Sequence, residues 1–291
     1  MSSALAELIA LLRLERLERT LFRGQSQDLG WGAVFGGQVL GQALSAAQQT
    51  VPAERAVHSL HGYFLRTGDA ARPIIYDVEC IRDGRSFTTR RVVAIQEGEA
   101  IFSMSASFQV EEEGFDHQAA MPAAPDPEGV LSETALARQL GERIPAPLRA
   151  RAVAEKAIEL RPVDPLDPLR PEARPPTRQV WARAAGRLPE EPGLHACVLA
   201  YASDFHFMTT AMQPHEVSWL TPGMQVASLD HAMWFHRPLR ADEWLLYAVE
   251  SPSASQGRGL ARGSFFSQDG RLVASTAQEG LIRRRGAGKG G

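Results

Sequence analysis

His58 and His61, three positions apart, are the first side chains in the sequence that invite a chemical reading, as a metal-binding pair or as the source of a general base. They fall in the stretch 56–65, which predicts a strand, and on a regular strand side chains three apart point to opposite faces. The pair therefore does not predict a metal site, and no HExxH supplies one elsewhere. Cys80 and Cys197, the only two cysteines, have no CxxC spacing. They are expected to be packing residues in a reducing compartment rather than a zinc site or a disulfide framework. There is no GxSxG elbow to expose a nucleophilic serine, and no Walker A loop or GxGxxG turn to cradle phosphates. No local motif indicates covalent serine, metal or nucleotide chemistry, and no cofactor is expected.

Any working site must then be assembled by elements distant in sequence. Of nineteen prolines, eleven lie between Pro122 and Pro176, so that region cannot be a regular core element throughout. It reads as a connection, residues 113–176, with a helix near 132–140 that resumes to about 157. On either side the chain repeats itself. His58-Ser-Leu-His-Gly-Tyr-Phe-Leu-Arg66 parallels Leu229-Asp-His-Ala-Met-Trp-Phe-His-Arg237; Phe64 and Phe235, Arg66 and Arg237, and Arg91 and Arg262 are each 171 positions apart. A period this long fits two fused copies of a small domain rather than a solenoid.

Each copy carries one small-residue helix followed by strands joined at turn dipeptides. The first has a helix at 36–47 and strands at 56–65, 74–82, 87–96 and 100–109; the second has a helix at 194–201 and strands near 224–235, 244–253, 259–267 and 272–279. The glycines and alanines of the first helix leave room for strands to pass closely. The pattern predicts an α+β fold in which an antiparallel sheet wraps a helix twice, over residues 15–112 and 177–285. Leu5, Leu8, Ile9 and Leu12 mark one face of an amphipathic docking helix within 1–14, and 286–291 reads as a disordered tail.

With 44% hydrophobic and 22% charged residues and a formal net charge of −3, the 291-residue chain lacks the basic footprint of a nucleic-acid binder. No apolar run reaches 18 residues, so neither a membrane span nor a signal peptide is expected, and a cytoplasmic location is the default. Open edges of such a sheet predict a homo-oligomer, a dimer or tetramer.

The chain resembles the acyl-CoA thioesterase II family of double-hotdog hydrolases. The resemblance rests on Leu21-Phe-Arg-Gly-Gln25, Val34-Phe-Gly-Gly-Gln-Val-Leu-Gly-Gln-Ala43, Tyr63-Phe-Leu-Arg66, Tyr201-Ala-Ser-Asp204, Asp230-His-Ala-Met-Trp-Phe-His-Arg-Pro238, Glu243-Trp-Leu-Leu-Tyr247 and Ala274-Ser-Thr-Ala-Gln-Glu-Gly280, in this order through nearly the whole chain. It implies an acyl-CoA substrate and places the family's catalytic aspartate at Asp204, its hydroxyl residue at Ser228 and its glutamine at Gln278. Where the family carries threonine, Ser228 keeps the hydroxyl but lacks the methyl that restricts the rotamer.

A thioester carbonyl is strongly electrophilic and its thiolate leaves readily. The site need only supply an oriented water, an acceptor for its proton and donors for the oxyanion. Asp204 can accept the proton, and Ser228 and Gln278 can orient the water. By resemblance, backbone N–H groups near Gly36 and Gly37 or the second helix receive the oxyanion. The first copy has no obvious counterpart of Asp204, which predicts one working site per chain. Arg66, Arg85, Arg90, Arg91, Arg237, Arg258 and Arg262 could meet the coenzyme phosphates, and Phe205, Phe207, Met208, Met212, Met233, Trp234 and Phe235 could line an acyl tunnel. Two other functions share parts of this pattern. A hotdog enoyl-CoA hydratase would use an Asp and a His five positions apart on one loop, whereas Asp204 and His206 are two apart. A non-catalytic acyl-CoA-binding regulator would need a DNA-reading helix-turn-helix or a basic face, and neither is visible.

Overall fold

In the computed structural model, which describes residues 2–30 and 32–285, one antiparallel sheet runs through the whole protein. The expected tail, 286–291, lies outside the described residues. The first half contains α1 (Ser3–Leu12), β1 (Glu15–Arg16), β2 (Leu21–Gly24), α2 (Gly36–Gln48), β3 (Arg55–Phe64), β4 (Ile74–Asp83), β5 (Phe87–Gln96) and β6 (Glu99–Val110). After α3 (Glu133–Leu140), α4 (Ala146–Val153) and β7 (Ile158–Pro162), the second half contains β8 (Thr177–Ala184), α5 (Pro192–Ser203), α6 (Phe207–Met212), β9 (Met224–Ser228), β10 (Asp230–Phe235), β11 (Leu245–Ser255), β12 (Arg258–Ser267) and β13 (Leu272–Arg284). This is a double hotdog, with α2 and α5 side by side under a continuous sheet ordered β1-β2-β4-β5-β6-β3-β10-β13-β12-β11-β8-β7.

The seam between the halves explains the repeated phrase. Strands β3 and β10 pair antiparallel with His61 opposite Ala232, residues 171 apart, so the pseudo-twofold axis passes through that pair. The equivalent arginines make equivalent contacts: Arg91 pairs with Glu79 and Arg262 with Glu250, again 171 apart.

Room left by the small residues of α2 is taken by a helix, not by strands as the sequence suggested. A Cβ on Gly37 would lie 2.3 Å from the Tyr201 carbonyl oxygen, and one on Gly41 3.0 Å from that of Cys197, both on α5. The Tyr201 carbonyl belongs to a helix that cannot shift locally. Glycine to alanine normally favours a helix by about 1 kcal/mol, but overpacking here should outweigh it. Gly37→Ala is expected to destabilise the protein by about 2–3 kcal/mol, seen as a lower urea midpoint at unchanged m-value. An unchanged midpoint would mean that the helices do not cross this closely in solution.

Helix α1 packs with Leu5, Leu8, Ile9, Leu11 and Leu12 buried. The Leu11 and Leu12 carbonyls at its end accept from Gln42 Nε2 and Ser45 Oγ of α2, each at 2.7 Å. The proline-rich stretch does more than connect. It lends β7 to the sheet, and residues including Met121, Ala124 and Val130 cover the outer face at Trp181, Trp244, Leu246 and Phe266. Trp181 Nε1 donates to the Pro125 carbonyl at 2.9 Å. The sheet edges are short: β1 has two residues, and β7 has five and ends on Pro162. Such edges are poor templates for further strand pairing, so edge pairing gives little support to the expected oligomer.

Candidate active site

Asp204 ends α5 as its C-cap, in αR conformation, where the chain turns into the loop before α6. Ser228 ends β9, and Gln278 sits inside β13. The structure brings all three together. Ser228 Oγ donates to Asp204 Oδ1 at 3.2 Å, and Gln278 Nε2 donates to Ser228 Oγ at 2.8 Å and also toward the Asp204 carboxylate. Bonds on both sides fix the serine hydroxyl, so the missing methyl is not needed to orient it. The fourth contact comes from the other half of the molecule: the Gly37 N–H, in the first turn of α2, donates to Asp204. Phe205 lies beside this turn, stacked on Phe35 with ring centroids 4.6 Å apart.

A β-bulge makes the cluster possible. Ser228 faces Gly280 of β13, and Ala232 faces Ala277. Three residues, 229 to 231, therefore oppose two, 278 and 279. Ser228 and His231, three apart, would point to opposite faces of a regular strand, but the extra residue turns both toward Gln278. Two backbone bonds and one side-chain bond hold the bulge: the Leu229 N–H donates to Glu279 O at 2.9 Å, the Phe64 N–H to Leu229 O at 2.9 Å, and the Glu279 N–H to Asp230 Oδ1 at 2.7 Å.

Burial raises the Asp204 carboxyl to about 6, against opposition from the Gln278, Ser228 and Gly37 donors. A carboxylate at the C-terminus of α5 meets the negative end of that helix, but its contact with the first turn of α2 offsets this. Nothing local in the sequence marks His231 as part of the site. It is 1% exposed, its Nδ1 lies 2.5 Å from Gln278 Oε1, and burial depresses it to about 4. Only an inward-facing polar residue on a strand otherwise facing apolar neighbours could have marked it, and the bulge hides that alternation.

Other candidates are used differently from what was expected. His58 occupies the equivalent bulge in β3, between Val57 and Ser59, and bonds Ser107 Oγ at 2.8 Å. It thus shares the outer face with His61, correcting the opposite-face expectation; His61 rests edge-on against Trp234. Among the described residues no group of three or more His, Cys, Asp or Glu side chains lies close enough to hold a metal ion. Trp234 is on this outer face and cannot line a tunnel under the sheet, while Phe207, Met208, Met212 and Met233 are core. Arg66 pairs with Glu99, Arg237 with Asp116 and Arg258 with Glu279. His206 adopts φ 70° and lies 3.3 Å from Glu133 of the connection. Cys197 is buried, its thiol well above the ordinary range.

Among the described residues the first half has no such cluster. At the same offsets, 171 or 172, Val57 stands for Ser228, Ala106 for Gln278 and Leu60 for His231. Arg90, opposite Ala106, is 2% exposed and fills the space at the end of α2, bonding Thr50 Oγ1, Thr50 O and Asp83.

The fold is a double hotdog with an acid–hydroxyl–amide cluster at the crossing of its two helices, and comparison with known proteins gives its class. A family model described as acyl-CoA thioesterase matches residues 149–281, and one described as the acyl-CoA thioesterase N-terminal domain matches 26–109. The chain is 47% identical over 283 residues to acyl-CoA thioesterase 2 of Haemophilus influenzae, covering 97% of this chain and 99% of that one. It is 43% identical to human acyl-coenzyme A thioesterase 8, covering 94% and 87%. The crystal structure of an acyl-CoA thioesterase II from Mycobacterium marinum superposes with a TM-score of 0.78 at 46% identity, over 96% of this chain and 98% of that one. The chain belongs to the acyl-CoA thioesterase II family and is an enzyme of that class. Among the described residues no helix is long and apolar enough to cross a membrane.

Proposed function

We propose that the protein hydrolyses acyl-CoA thioesters to free acid and coenzyme A at one site per chain, with Asp204 as general base for a water that Ser228 and Gln278 hold in place. The two hotdog units are taken as 15–112 and 177–285, with β7 lent by the connection. The observation that carries the reading is the one-way series of donors ending on Asp204: Gln278 to Ser228, and Ser228, Gln278 and the Gly37 N–H to the carboxylate. An acceptor-only group at the end of such a series can still bind one more donor, a water. That water transfers its proton to Asp204 as its oxygen attacks the carbonyl carbon, and the thiolate of coenzyme A leaves. Because the Gly37 N–H serves the carboxylate and the Gln38 and Val39 N–H groups donate to the Phe35 carbonyl, the oxyanion falls instead to the Gly36 N–H and the positive dipole of the first turn of α2. The counterpart, apolar at Val57 and Ala106 and filled by Arg90, supports one working site rather than two.

Thiol release from saturated and enoyl-CoA esters tests the activity; hydration of the enoyl ester without thiol release would overturn it. The base must be ionised, so kcat/KM is expected to fall as pH drops through about 6, where Asp204 takes up its proton. A profile flat down to pH 4.5 would remove Asp204 as the base.

A further inference from the structure

We infer that His231 is a positioning residue for the hydrolysis, holding the Gln278 amide with its nitrogen toward Ser228 and Asp204. The inference rests on the proposed site and concerns how that site keeps its polarity. The two ends of a glutamine amide have nearly the same shape, so packing alone does not choose between Oε1 and Nε2 facing the carboxylate. The flipped amide would set its oxygen against the Asp204 oxygens, with no proton between them. His231 reads the far end of that amide. Its Nδ1 is 2.5 Å from Gln278 Oε1, and its Nε2 is 2.9 Å from Ser203 Oγ.

The donor directions follow from one fixed point. Asp204 only accepts, so Gln278 presents Nε2 to the site and Oε1 to the ring. The ring must then carry its proton on Nδ1, and Nε2 accepts from the Ser203 hydroxyl, whose other near acceptors are the Ala200 carbonyl at 2.8 Å and Met233 Sδ at 3.3 Å. Read from its origin, the series runs Ser203 to His231 to Gln278 to Ser228 to Asp204, and reversing any member opposes two lone pairs or two N–H groups. The supports are rigid. Ser203 is 0% exposed on the last turn of α5, its carbonyl accepts from Tyr247 Oη at 3.0 Å, and the imidazole stands edge-on to Phe207 at 5.5 Å. Burial keeps the ring neutral at working pH, so it serves as a fixed donor. The equivalent position in the first half, where there is no amide to orient, is Leu60, also 0% exposed.

That equivalence supplies the test, because leucine is already accommodated at this point of the fold. In thiol-release assays His231→Leu is expected to lower kcat about 30-fold with KM within twofold, since the amide loses its orientation but the substrate surface is untouched. The acid limb of kcat/KM should move to higher pH, because a carboxylate missing an N–H donor binds its proton more tightly. His231→Asn, whose amide N–H can stand where Nδ1–H stood, should recover kcat to within about fivefold and return the acid limb to its wild-type position. In a Gln278→Ala background His231→Leu should add no further loss. A His231→Leu protein with near-wild-type kcat would overturn the inference, as would a loss that His231→Asn does not relieve or that adds fully to Gln278→Ala. If Gln278→Ala alone leaves kcat unchanged, the reading of the site itself fails, which separates the two.

Discussion

Asp204→Asn is expected to lower kcat/KM for thiol release by about a thousandfold at pH 8, the scale of a lost general base. Asparagine keeps the size of the side chain and an oxygen for Ser228, so the loss reports on proton acceptance rather than on shape. The same variant should be more stable than the wild type at that pH. Burial holds the Asp204 carboxyl near 6, above its ordinary 3.8, so the folded protein binds this proton more tightly than the unfolded chain does. The stabilising contribution of the proton is complete below about pH 4 and is lost as pH rises through about 6, leaving a charge whose burial costs about 1–3 kcal/mol at pH 8. Urea unfolding should show Asp204→Asn ahead at pH 8 and level with the wild type at pH 4. Equal stability at both values would mean that the carboxylate is well solvated, and activity retained within tenfold would exclude it as the base.

Gln278→Ala should have the second largest effect, a fall in kcat of about two orders of magnitude with a much smaller change in KM. The amide touches three partners, so truncation frees Ser228 to rotate, removes a donor from Asp204 and leaves the His231 Nδ1–H without an acceptor. An unpaired buried donor costs about 1–3 kcal/mol, so the thermal midpoint should fall as well. Loss of stability with full activity would assign Gln278 to the fold and not to the chemistry.

Different signals carried different parts of this picture. Asp204, Ser228 and Gln278 were reached through resemblance to a family; as isolated residues, a helix-end aspartate, a strand serine and a strand glutamine carry no mark of chemistry. Arg90 and His231 show the same limit. Each sits at a position whose counterpart in the other copy is apolar, Ala261 and Leu60; the 171-residue offset pairs them, but what each side chain touches is decided by the packing.

The sequence by itself determined the two-copy plan, because the 171-residue offset and strand alternation are written in the order of residues and their periodicity. It also determined the docking of α1, whose leucine spacing has only one apolar face to bury. Only the tertiary structure decided that the small residues of α2 receive α5, that the first turn of α2 supplies an N–H to a carboxylate of the other copy, and that the bulge at Leu229 turns Ser228 and His231 the same way. The physical reason is that each of these depends on an approach between segments 50 to 170 residues apart. Local periodicity records which face of an element is buried, and it holds no record of what will be packed against that face.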